Sequence, residues 1–114
     1  MEEFPWWTEE QRRLAREVEE FSREVTPLIE ETDWRAKQGI LDGSLPWDPV
    51  PQELKRKIVE KGYFGAMIPR EYGGMGLGVT GSCIIAEGLG PAFGGFIATA
   101  IGGTHQIIRH GTKE

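Results

Sequence analysis

The side chains best suited to chemistry in the second half of the chain are Cys83, Glu87, His105 and His110. The two histidines are five residues apart, so they do not share a helix face as the i,i+4 pair of a zinc protease does, and no metal site is indicated. Cys83 has no nearby basic residue and lies in an apolar run, which is typical of a buried, unreactive thiol.

Glu87 also lies among apolar residues. It could be a general base, or a buried acid held by a helix amino terminus or an arginine. The structural role is favoured because no candidate nucleophile or second acid is placed beside it. We therefore predict no catalytic residue in this chain.

Residues 76–81, with the sequence Gly-Leu-Gly-Val-Thr-Gly, match the letters of the dinucleotide-binding fingerprint G-x-G-x-x-G. That fingerprint needs a buried strand before it and an acidic residue about 20 positions further on. Here proline and charged residues precede the glycines, and no acid lies near that offset. We predict no cofactor-binding residue at this motif.

Two of these glycines, Gly76 and Gly78, belong to a longer stretch, from Ile68 to Gly78, that holds a proline, a tyrosine and four glycines. Such a composition forms neither helix nor strand, so it predicts a tight loop with positive φ angles or close backbone packing. The loop is expected to lie between helical segments.

The first helix is predicted to begin at Thr8, because Thr8 and Gln11 have the spacing of a capping box. An apolar face follows at steps of three and four residues, typical of a packed amphipathic helix. Its members are Leu14, Val18, Phe21, Val25 and Leu28. Pro27 removes a backbone donor, so the helix is expected to kink or end within about a turn of it.

Residues 33–51 are predicted to form a long loop packed down by its own apolar side chains. Those anchors are Trp34, Ile40, Leu41, Leu45 and Trp47. Pro51 then suits the first turn of a short helix that carries Leu54 and Ile58 and stops at Gly62. Residues 63–68 are expected to be a short extended connector.

A third helix is predicted after a cap at Thr80 or Ser82, and Gly90-Pro91 should end it. A fourth, from Phe93 to Arg109, is apolar or small on every side, which is typical of a buried helix. Residues 88–108 are long enough to span a membrane, but Pro91, Gln106 and six glycines make the run weakly hydrophobic. The pattern favours the centre of a soluble, all-α bundle.

Composition narrows the classes of function. The chain has 114 residues, enough for one domain, with a formal charge of −5 and no basic stripe, so nucleic-acid binding is not expected. The single cysteine cannot form an internal disulfide, and the amino terminus lacks the apolar segment of a secretory signal. We expect a cytoplasmic protein. The residues from Gly111 repeat the signals for closing one helix and capping the next, which suggests an amino-terminal fragment.

The order of helices, then the glycine-rich loop, then more helix resembles the amino-terminal helical domain of acyl-CoA dehydrogenases. The resemblance runs from Thr8 to Glu114 and is carried best by the loop. The matching residues are Ile68-Pro69, Glu71-Tyr72-Gly73-Gly74 and Gly76, with looser matches at Glu87, Leu89 and Gly111-Thr112. Gly88, Gly90 and Lys113 depart from the usual residues of the family, so the subfamily stays open.

The resemblance implies an FAD-dependent enzyme that introduces an α,β double bond into an acyl-CoA, passes electrons to electron-transfer flavoprotein and forms homo-oligomers. By the same likeness, the catalytic carboxylate and most flavin contacts belong to later domains, so the fragment should be inactive. This domain would supply part of the acyl pocket, at Gly95, Ala98 and Gly102. These three small residues share one face of the fourth helix and leave room beside it.

Two other functions stay open. One is a related flavin-dependent acyl-CoA oxidase or monooxygenase that shares this domain. The other is a non-enzymatic helical interaction module.

Overall fold

The computed structural model describes residues 3–44, 51–90 and 107–112. Three α-helices run from Glu9–Asp42 (α1), Gln52–Lys61 (α2) and Gly78–Gly88 (α3), and two 3₁₀ turns lie at Tyr63–Gly65 and Arg70–Tyr72. Residues 107–110 are also helical. No strand occurs in these three ranges, and the predicted all-α fold class is confirmed.

Helix α1 begins at the predicted capping box. The Thr8 hydroxyl accepts a hydrogen bond from the Gln11 backbone N–H at 3.2 Å, and the Gln11 side chain accepts one from the Thr8 N–H at 3.0 Å. These bonds satisfy two amide donors that a helix start would otherwise leave free. Along the predicted apolar face, the first four residues are buried and Leu28 is half-buried, while Ile29 takes the buried place of the next turn.

The helix does not end at Pro27. It continues to Asp42 and is closed by Gly43, whose φ of 76° is left-handed. The prediction of a loop over residues 33–51 is therefore wrong for residues 33–42. Proline costs a helix interior about 3 kcal/mol through one lost hydrogen bond and a steric clash. Burial of Ile29, Thr32 and Gly39 beyond the proline works against that cost. The exposed ion pairs from Glu31 to Arg35 and from Asp33 to Lys37 add only about 0.3–0.5 kcal/mol each.

The predicted anchors of that loop are likewise not packed down. Trp34, Ile40 and Leu41 are exposed side chains on the last turns of α1. Leu45 and Trp47 lie outside the described residues.

Helix α2 agrees with its prediction. Leu54 and Ile58 are buried, and Gly62, with φ of 79°, donates its N–H to the carbonyls of Ile58 and Val59. The Lys57 ammonium donates a 2.8 Å hydrogen bond to Glu24 of α1 and thereby lowers the pKa of that carboxyl. Residues 63–65 form a 3₁₀ turn instead of the expected extended connector, because local bonds such as that from the Ala66 N–H to the Tyr63 carbonyl satisfy the backbone.

One apolar core joins the three helices, and α3 packs along α1. Its members come from the three helices, from the turn after α2, from Trp7 before α1 and from Leu89 after α3. The largest fully buried side chains are Val18, Val25, Leu54, Ile58, Ile84, Ile85 and Leu89. The glycine-rich loop connects the turn after α2 to the start of α3, and both of these elements contribute residues to the core.

Helix α3 starts at Gly78, earlier than either predicted cap, and the Ser82 hydroxyl donates to the Gly78 carbonyl at 2.8 Å from within the helix. Of the predicted helix from Phe93 to Arg109, residues 107–110 are helical and residues 91–106 lie outside the described part. Among the described residues, no helix combines the length and the apolar character that a bilayer crossing needs.

Candidate functional site

The glycine-rich loop is the most constrained backbone of the described chain. Gly73, Gly76 and Gly78 have φ angles of 85°, 61° and 65°, in the left-handed region that L side chains rarely adopt. Gly74 is constrained differently, since a Cβ atom there would lie 2.0 Å from the Ile68 carbonyl oxygen. Both forms of constraint predicted from the composition, positive φ and close backbone approach, are confirmed.

Backbone hydrogen bonds fix the loop to the turn that follows α2. The N–H groups of Met75, Gly76 and Leu77 donate to the carbonyls of Gly65, Ile68 and Ala66, each at 2.9 Å. The Arg70 guanidinium donates to the Met75 carbonyl at 3.3 Å, and it lies 3.8 Å from the Glu10 carboxylate of α1. Backbone bonds therefore hold the two ends of the loop together, and an exposed ion pair links it to the first turn of α1.

These bonds also determine which amides of the loop are free to hold a cofactor phosphate. A phosphate-binding loop presents free backbone N–H groups to its ligand. Here the N–H groups of residues 73–77 all donate to carbonyls within the loop or the preceding turn. The amides of residues 73–77 are therefore not free to bind the pyrophosphate of a flavin or nicotinamide dinucleotide.

Two candidates for chemistry on α3 lie on the side away from the core. Cys83 and Glu87 are exposed, and with exposed Val79 they form one helix face at steps of four residues. The predictions of a buried thiol and a buried acid are both wrong. The buried face is formed by other members of the same apolar run, namely Gly81, Ser82, Ile84, Ile85 and Gly88.

The predicted pocket residues Gly95, Ala98 and Gly102 lie outside the described residues, as does His105, so their placement stays a prediction. His110 lies in the described carboxy-terminal segment and is exposed. Within the described ranges, no three His, Cys, Asp or Glu side chains are grouped closely enough to hold a metal ion.

Tyr63 is a buried polar residue that the sequence analysis treated only as part of an apolar run. Its ring packs edge-on against Phe21, with 5.5 Å between ring centroids, and the residue is 3% exposed. Burial, reinforced by the negative charge of Glu17, raises the pKa of the phenol to about 12. Its position directly after the helix-ending Gly62 is the signal that could have indicated a core tyrosine.

This shift predicts a loss of stability at high pH. The unfolded phenol titrates near pH 10. Because the folded pKa is raised, Tyr63 contributes stability fully below pH 10 and loses it progressively as the pH rises to about 12. Urea unfolding at a series of alkaline pH values should show this decline, and Tyr63→Phe should flatten it.

Tyr72 provides the matched control for this experiment, because it is 64% exposed. Tyr72→Phe should leave the alkaline decline unchanged. A Tyr63→Phe protein with the same decline as the parent protein would contradict the assignment.

Comparison with known proteins gives two matches. Residues 8–114 match the family described as acyl-CoA dehydrogenase, N-terminal domain. A stretch of 65 residues is 34% identical to a protein named 3-(aryl)acrylate reductase from Clostridium sporogenes (strain ATCC 15579). That match covers 57% of this chain and 14% of the relative, so the chain spans only a small part of the relative's length. No solved structure matches the chain.

Proposed function

The chain belongs to the acyl-CoA dehydrogenase family, and on this premise we propose that it is the amino-terminal domain of a flavin-dependent enzyme that oxidises acyl-CoA thioesters at the α,β carbon–carbon bond. The observation that carries the proposal is the family match over residues 8–114, which includes the whole glycine-rich loop. Activity, substrate and partners of the complete enzyme are part of this proposal.

In the proposed enzyme, this domain supplies a wall of the acyl pocket and leaves the redox chemistry to other domains. The family is generally flavin-dependent, but the amides of residues 73–77 already donate to carbonyls and offer no donor to a flavin pyrophosphate. We therefore derive no step of the reaction through the flavin from this chain. Its own contribution is to shape the space beside Gly95, Ala98 and Gly102 and to keep water from the acyl chain.

The character of that wall favours an apolar acyl group. No Lys or Arg occurs between Glu87 and Arg109. An acyl chain that ended in a second carboxylate would find no counterion on this segment, and burying an unpaired charge is costly. The sequence of the segment therefore supports an uncharged acyl substrate.

The Clostridium sporogenes relative favours a second candidate, in which the enzyme works in the reductive direction. Its printed name describes reduction of a 3-arylacrylate, whereas a dehydrogenase removes hydrogen. For this chain we place oxidation first, because the family match covers residues 8–114 and the relative matches over 65 residues. Electron-transfer flavoprotein as acceptor, a homo-oligomer and a cytoplasmic location are further parts of the proposal.

The experiment compares the 114-residue chain with the longer polypeptide that carries it. We expect the longer protein to purify with bound flavin, and its absorbance to bleach under anaerobic conditions when a saturated acyl-CoA is added. The 114-residue chain should be colourless and inactive. A flavin-free longer protein, or one whose bound flavin is bleached by no acyl-CoA, would contradict the proposed function.

The same two proteins test the assignment of flavin binding to other domains. Stoichiometric flavin retained by the 114-residue chain alone would contradict that assignment. Reoxidation of chemically reduced flavin by a 3-arylacrylate or its thioester, together with no bleaching by a saturated acyl-CoA, would favour the reductive candidate.

A further inference from the structure

The segment before α1 lies against the first turns of that helix. Residues 3–7, hereafter the strap, contain a turn closed by a 3.1 Å hydrogen bond from the Trp7 N–H to the Phe4 carbonyl. We propose that the strap is a cover on the apolar core that opens without unfolding α1, and that a network of four charges beside it sets how often it opens. This conformational device does not depend on the reaction that the complete enzyme performs.

Aromatic rings hold the strap to the core. Trp7 is 7% exposed and belongs to the core, and half-buried Phe4 packs against the core. The Phe4 ring meets the Trp7 ring edge-on, with 5.3 Å between ring centroids, and stacks on the Trp6 ring at 4.7 Å. Trp6 itself is 74% exposed. The strap therefore lies at the edge of the core, and lifting it would expose the surface on which Trp7 packs.

Charged side chains join the strap to α1. Glu3 of the strap lies 2.9 Å from the Arg16 guanidinium and 3.9 Å from that of Arg12. Glu9, in the first turn of α1, lies 3.3 Å and 3.7 Å from the same two guanidiniums. The Arg12 guanidinium also donates a 3.2 Å hydrogen bond to the Pro5 carbonyl. Each arginine therefore bridges a carboxylate of the strap and a carboxylate of the helix, and such networks contribute where isolated surface pairs contribute little.

These two kinds of contact predict that the strap opens by itself. A short terminal segment held by side chains opens at a much lower free energy than a helix with a buried face. The side chains of the network are 31% to 79% exposed, so dissolved salt screens their attraction. The contact of buried Trp7 with the core carries no net charge and is not screened. A rise in ionic strength should therefore favour the open strap and leave α1 folded.

Cleavage by chymotrypsin, which cuts after Trp6 or Trp7, measures the opening in the longer polypeptide. The initial rate at which the strap is lost is determined by mass spectrometry and divided by the cleavage rate of a synthetic peptide of residues 1–12. Where opening and closing are fast relative to cleavage, this ratio is the open fraction. We expect the strap to be lost at least about tenfold more slowly than the peptide is cut, and at least about tenfold faster than α1 is cut after Phe21.

Two outcomes of this measurement would overturn the proposal. Loss of the strap within about twofold of the peptide rate would mean that the strap is not closed. Equal cleavage rates in the strap and after Phe21 would mean that the strap opens only when α1 unfolds.

A pair of matched variants tests the role of the charges. Arg16→Gln removes the shorter ionic contact to Glu3 and should raise the open fraction about threefold. Arg13→Gln makes the same change on the same helix, but Arg13 pairs with Glu17, at 3.8 Å, outside the strap. It should leave the open fraction unchanged. Equal open fractions in the two variants would contradict the proposed network.

Salt provides an independent measurement. Raising sodium chloride from about 0.1 M to about 1 M shortens the screening length from about 10 Å to about 3 Å, so the open fraction of the parent protein should rise about threefold. Glu3→Gln removes the charge of the strap that the arginines attract, so its salt response should be at least about twofold smaller. Peptides with the same sequence, cut in the same salt, correct for changes in the protease. Equal salt responses of the two proteins would overturn the proposal.

Discussion

Gly74→Ala is expected to destabilise the protein by about 3 kcal/mol or more, a large fraction of the roughly 5–15 kcal/mol by which native proteins are usually stable. An added Cβ would lie 2.0 Å from the Ile68 carbonyl oxygen and 2.5 Å from its carbonyl carbon. These are backbone atoms, so no side-chain rotation relieves the contact. Relief would require moving the loop away from residue 68 and breaking the 2.9 Å bond from the Gly76 N–H to the same oxygen.

Two other glycines of this region serve as controls. A Cβ at Gly65 would meet its nearest atom, the Gly74 Cα, at an ordinary 3.5 Å. Gly65→Ala should therefore change the free energy of unfolding by no more than about 1 kcal/mol. Gly73→Ala has open space but a φ of 85°, so it should cost about 1–2 kcal/mol through backbone strain alone.

Urea unfolding of the three variants, followed by circular dichroism, ranks their changes in the free energy of unfolding. If Gly74→Ala were no more destabilising than Gly73→Ala, the close approach to residue 68 would not describe the protein in solution.

Sequence reasoning succeeded where a short pattern determines local geometry. The capping box at Thr8 needs only two residues three apart, and Gly62 ends α2 because few other residues accept its left-handed φ. The glycine-rich loop belongs to the same class. In each case the steric or hydrogen-bonding requirement lies within a few residues of chain.

Sequence reasoning failed where tertiary packing overrides a local signal. Pro27 is a strong local reason to end a helix, yet α1 continues for 15 residues beyond it, to Asp42. Trp34 was expected to hold down a loop and instead lies exposed on that continuation. Propensity could not show this, because most helical stability in proteins comes from packing of one face against the rest of the fold.

Sequence reasoning was limited in a related way at the candidate site. Cys83 and Glu87 were expected to be buried because they lie in an apolar run, and that run is buried on one side. A helix, however, brings residues four apart onto one face whatever their neighbours are. Which face of a mostly apolar helix is buried depends on its partner, and α3 packs on α1 through its other residues. The family itself was recognisable from the loop, whose requirements are local.

The largest effect on activity is expected at the acyl pocket, in the complete enzyme. Gly102→Leu should lower kcat/KM for the longest acyl-CoA substrates by about one to two decades while sparing short ones. The physical reason is volume, because a leucine side chain would fill space that the last methylenes of a long chain occupy, and each lost methylene is worth about 1 kcal/mol. This prediction follows from the proposed lining role of Gly102 and its two small neighbours.

Assays with a series of acyl-CoA chain lengths test this role in the parent enzyme and in three variants. Gly102→Ala should move the length optimum in the same direction as Gly102→Leu but less, since it adds a single methyl group. Gly103→Leu makes the same change one residue along, which a helix would turn about 100° away, so it should not move the optimum. Flavin content separates a filled pocket from a misfolded enzyme. Superimposable length profiles for the parent enzyme and Gly102→Leu would remove Gly95, Ala98 and Gly102 from the pocket floor, because a side chain that occupies no substrate volume cannot discriminate by length.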